Sequence, residues 1–109
     1  MKPAKDADFE TVRQWAMKEP VAITATSDSV RDNLSEVGLL AGYEWIKSNP
    51  GSHNKKDFRK HVKQAINQHI EDTKSVGAIE FGIGSIILLA VIQAIIGWIV
   101  RKLLDEWIS

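Results

Sequence analysis

His53, His61 and His69 are the side chains best suited to hold a metal ion, but their spacing works against it. Eight residues carry a helix about 80° past two full turns, so three such rings point in different directions. Helical zinc pairs sit three or four residues apart, and the chain has no cysteine to complete a site. No metal is expected. Catalytic patterns are equally scarce. The phosphate-cradling GxxxxGK[ST] and GxGxxG motifs are absent, and Gly82-Ile83-Gly84-Ser85 lies inside an apolar run with no strand before it. The expectation is a protein that is not an enzyme and needs no cofactor.

Lys55, Lys56, Arg59, Lys60 and Lys63 form the densest positive cluster, with Asp57 the one acid among them. On a helix close to a membrane, such residues suit anionic lipid headgroups, at about 1 kcal/mol each near the surface. The plain alternative is a solvated helix face. No aromatic side chain shares that face to stack a base, and 14 basic residues balance 14 acidic ones over the chain. No nucleic-acid partner is expected.

The strongest signal is apolar. Residues 81–100 read FGIGSIILLAVIQAIIGWIV without a charge, bounded by Glu80 and by Arg101-Lys102. As a helix this run is about 30 Å long, the thickness of a bilayer's hydrocarbon core. It is expected to be a single transmembrane span, with burial between subunits of an assembly as the alternative.

At about 100° per residue the run has two faces. Ile87, Leu88, Val91, Ile95 and Trp98 make a large apolar side, the kind that faces lipid. Gly82, Ser85, Ala90, Gln93, Ala94 and Gly97 make a small-residue side, joined by Leu89 along a heptad-like seam that continues to Trp107. Small residues let helices approach closely in lipid, and Gln93 can bond across such an interface. This side is expected to be the helix-packing face. Beyond Val100, Leu103, Leu104 and Trp107 continue it, and Lys102, Asp105 and Glu106 fall opposite.

Three amphipathic helices must precede this one. Phe9, Val12 and Ala16 mark the first, stopped by Glu19-Pro20. Val30, Leu34, Val37, Ala41 and Trp45 mark the second, capped in the 27–29 cluster and stopped by Asn49-Pro50-Gly51. Phe58, Val62, Ala65, Ile66 and Ile70 mark the third, started by Ser52 or Asn54. The β-prone residues 21–26 have no partner run and read as an extended connector. The expected fold is all-α: a polar helical part, 1–75, followed by an apolar helix with a short amphipathic tail, 76–109.

Six Lys/Arg in residues 50–80 against two after the run place the N-terminal part on the cytoplasmic side by the positive-inside rule. The function expected is that of a membrane-anchored structural or adaptor protein, forming homo-oligomers through its last helix. Two rivals use the same features. One is a subunit of a large assembly, such as a phage virion or its ejection apparatus. The other is a holin-like pore former with Gln93, Ser85 and Glu80 lining a lumen.

Overall fold

A computed structural model describes residues 1–52, 54–75 and 85–109. The chain is all-helical, as the sequence predicts: α1 (Phe9–Met17), α2 (Asp28–Ser48), α3 (Lys55–Ser75) and α4 (Ser85–Ile99). α4 runs directly into a π-helical segment, Val100–Trp107. Among the described residues there is no strand, and 21–26 form an irregular connector that buries Val21. The stretch Ile87–Trp107 is long and apolar enough to cross a membrane by length and composition.

Local chemistry sets the helix ends. Asp8 Oδ1 accepts the Thr11 N–H at 2.9 Å, Ser27 Oγ that of Val30 at 3.2 Å, and Asn54 Oδ1 that of Asp57 at 3.0 Å. Each satisfies a backbone donor that the first helical turn leaves free. Pro20 blocks extension of α1. After α2, Asn49 Nδ2 returns to the Trp45 carbonyl at 2.8 Å and Gly51 turns the chain at a φ of 79°, a conformation that glycine adopts readily.

α2 is central and packs against α1, α3, α4 and the π segment. One apolar core joins Val12 and Ala16, Leu34 and Leu39, Phe58, Val62 and Ile66, and Val91, Ile95, Ile99, Leu103 and Trp107. It takes side chains from both sides of the division at residue 75. Two glycines of α2 bring the last helix close. A Cβ on Gly42 would stand 2.8 Å from Leu103 Cδ1 and 2.9 Å from Phe58 Cζ. One on Gly38 would collide with Ile99 Cδ1 and lie 3.1 Å from Ile66 Cδ1. Large residues of the C-terminal helix therefore seat in a small-residue strip of α2.

The π segment changes which side chains are buried. α-Helical winding of about 100° per residue would set Lys102 opposite Leu103 and Trp107, as the sequence predicts. A π turn is wider, bonding i to i+5 as Ile108 N–H does to the Leu103 carbonyl at 3.2 Å, and each residue advances less. Lys102, Leu103, Leu104 and Trp107 then share one buried arc, while Asp105 stays exposed. Lys102 is only 3% exposed, which corrects its expected place on the outer side.

Candidate functional site

α4 presents a nearly unbroken outer strip. Leu89 is 54% exposed, and Ala90, Gln93, Ala94 and Gly97 are exposed beside it. A Cβ on Gly97 would meet nothing within 4 Å. These are members of the expected helix-packing face, and within this chain they are uncovered. Trp107 is not part of the strip: it is fully buried, stacked on Tyr43 with ring centroids 5.6 Å apart. Gly82 lies outside the described residues, as do Glu80 and His53, and Ser85 opens α4.

The large side of α4 lies differently from the lipid-facing arrangement. Val91, Ile95 and Trp98 are 2%, 0% and 3% exposed, covered by the chain's own helices. Leu88 is half-buried, and Ile87 remains 45% exposed. The physical reason is the strip of Gly38 and Gly42, which lets α4 approach α2 closely enough to seat branched side chains. Nothing in a hydropathy count of α4 alone carries that information. The signal was on α2, in Gly38-Leu39-Leu40-Ala41-Gly42, a small-xxx-small spacing.

A second surface lies on α3. Lys56, Arg59, Lys60 and Lys63 recur at i, i+3, i+4 and i+7 and are all exposed. They have no ion pair or side-chain hydrogen bond among the described residues. Their stripe lies opposite Phe58, which anchors α3 in the core edge-on to Trp45 at 5.4 Å. Asp57 is engaged elsewhere, accepting the Trp45 indole N–H at 2.7 Å. Lys55 leaves the cluster to pair with Asp105 of the π segment at 3.0 Å.

The N-terminal residues meet the end of the last helix. Trp98 Nε1 donates to the Glu19 carbonyl at 2.9 Å, and Trp107 Nε1 to that of Ala4 at 3.0 Å. Lys102 Nζ lies 3.1 Å from Glu19 Oε1, 3.6 Å from Glu106 Oε1 and 5.1 Å from the Trp15 ring centre. Lys2 Nζ donates to the carbonyls of Glu106 and Ser109 at 3.0 and 2.8 Å. Apart from Lys102–Glu106, an i, i+4 pair, no local pattern points to these pairings, because each joins residues 79 or more positions apart.

Thr11, through its side chain and then its amide, holds the Asp8 carboxyl below its ordinary value. The Arg13 guanidinium, hydrogen-bonded to Glu10, does the same for that carboxyl. Arg13 also reaches Glu36 of α2 at 2.9 Å and so ties α1 to α2. Asp32 raises the Arg31 guanidinium in the same manner. His69 Nε2 is 2.8 Å from Asn33 Oδ1, and His61 is exposed. Among the described residues no group of three acidic, histidine or cysteine side chains is placed to hold a metal ion.

Comparison with known proteins finds no matching family model, curated protein or solved structure.

Proposed function

We propose that this chain is a non-enzymatic structural or adaptor protein that self-associates at a membrane through the outer strip of α4. The observation that carries the reading is the division of α4. Val91, Ile95 and Trp98 of its large side are committed to the protein's own core, while Leu89 and the small residues Ala90, Ala94 and Gly97 remain exposed around Gln93. A second copy on that strip would bring backbones close and give the Gln93 amides partners across the interface. The stretch Ile87–Trp107 supplies the membrane element. The exposed stripe of Lys56, Arg59, Lys60 and Lys63 supplies attraction to anionic headgroups.

A second reading has its own support. Val91, Ile95 and Trp98 are covered by protein without any lipid, which suits a subunit of a large assembly outside a bilayer. Fractionation of the expressed protein separates the two. The membrane reading expects a carbonate-resistant protein that needs detergent and then runs as an oligomer. Recovery without detergent as a large particle would favour the assembly reading. A monomer in both fractions would contradict both.

A further inference from the structure

The arrangement that shields the candidate span is itself informative. Of the most apolar part of Ile87–Trp107, 56% is buried inside the fold. Its C-terminal half is fastened by residues from the opposite end of the chain. Glu19 takes the indole N–H of Trp98 on its carbonyl and the Lys102 ammonium on its carboxylate. Ala4 takes the indole N–H of Trp107, and Lys2 caps the carbonyls of Glu106 and Ser109. Pro20 leaves the Glu19 carbonyl outside any helical hydrogen bond and so available to Trp98.

We infer that residues 1–19 form a latch that holds Ile87–Trp107 in a sheathed state and must release before that stretch can enter a bilayer. The inference rests on the membrane reading above. The two states exclude each other on physical grounds. Hydrocarbon offers no partner for backbone polar groups, so the Ala4 and Glu19 carbonyls cannot follow Trp107 and Trp98 into it. Lys102 needs a counter-charge or water, and Glu19 and Glu106 supply the charge in the sheathed state. On release, Lys102 lies near one end of the stretch, where its long side chain reaches the headgroup region.

The latch has few parts, and this makes it breakable. Glu19 carries two of these five hydrogen bonds and its side chain is 82% exposed, open to water and to competing cations. α1 is also the shortest of the four helices, at 9 residues. A partner or surface that engages Glu19 would loosen Trp98 and Lys102 together.

The test uses the full chain, whose lack of cysteine allows a clean reversible cross-link. Lys2→Cys and Ser109→Cys are introduced together and joined by a short reducible bis-maleimide. Flotation with vesicles of equal phosphatidylserine and phosphatidylcholine reads bilayer binding before and after reduction. The linked protein should bind roughly tenfold less than the reduced one, the scale of losing one or two charge-assisted hydrogen bonds. Without a cross-link, Glu19→Gln and Trp98→Phe should each raise binding, and Trp98→Phe keeps an aromatic ring in the core. Equal binding of linked and reduced protein would overturn the latch and leave the membrane reading standing. No binding by either form, or by the two unlinked variants, would overturn both.

Discussion

Leu103 of the π segment lies over Gly42 of α2 so closely that one added methyl group there would stand 2.8 Å from Leu103 Cδ1. Gly38 is in the same position beneath Ile99, one turn earlier on each helix. Among the described residues the apolar helix thus makes its close approach to α2 of the same chain, and its small residues Ala90, Ala94 and Gly97 are left outside. From this follow both the core and the free strip.

Gly42→Leu should therefore destabilise the fold by about 1–3 kcal/mol through overpacking against Leu103 and Phe58. Gly97→Ala should act the other way, since Gly97 faces open space and alanine favours a helix by about 1 kcal/mol. Urea titration of both variants checks the pair. A neutral Gly42→Leu would mean that α4 does not approach α2 as described.

Replacing Lys56, Arg59, Lys60 and Lys63 with glutamine should weaken binding to anionic vesicles by about fivefold per charge removed. Binding of the unsubstituted chain should also weaken with salt. The melting temperature should hardly move, because these side chains have no partners among the described residues. Salt-independent binding would remove the headgroup role.

Acid should loosen α1 before the rest. The Asp8 and Glu10 carboxyls titrate below their ordinary values of 3.8 and 4.5 in the fold. Their stabilising effect is complete above those ordinary values and is lost as pH falls through the lower, folded ones. Hydrogen exchange should show α1 amides losing protection below about pH 4 while the centre of α2 keeps it. Protection of α1 unchanged down to about pH 2 would contradict this.

The helices were legible because their signals are local. A cap in the 27–29 cluster, a start at Ser52 or Asn54, stops at Glu19-Pro20 and Asn49-Pro50-Gly51, and the apolar stripe from Phe58 to Ile70 each act within a few residues. Exposure of Ala90, Gln93, Ala94 and Gly97 beside burial of Val91 and Ile95 follows the two faces written in the α4 sequence. Which face meets protein was not legible from α4, since Gly38 and Gly42 decide it from another helix. Burial of Lys102 was hidden for a different reason: it depends on π winding, and α periodicity assigns the residue to the wrong side. The Trp98–Glu19 and Trp107–Ala4 bonds depend on the folded chain path, which no local pattern records.

The central claim is that the outer strip of α4 joins copies of this chain, and mass measurement on matched variants tests it most directly. Light scattering on detergent-solubilised protein would compare the unsubstituted chain with Ala94→Ile and Ile95→Ala. Ala94→Ile should reduce the oligomer and leave the unfolding midpoint close to that of the original. Ile95→Ala should cost about 2–5 kcal/mol of fold stability, because its side chain is fully buried. An oligomer that survives Ala94→Ile intact, or a chain that is monomeric from the start, would contradict the account.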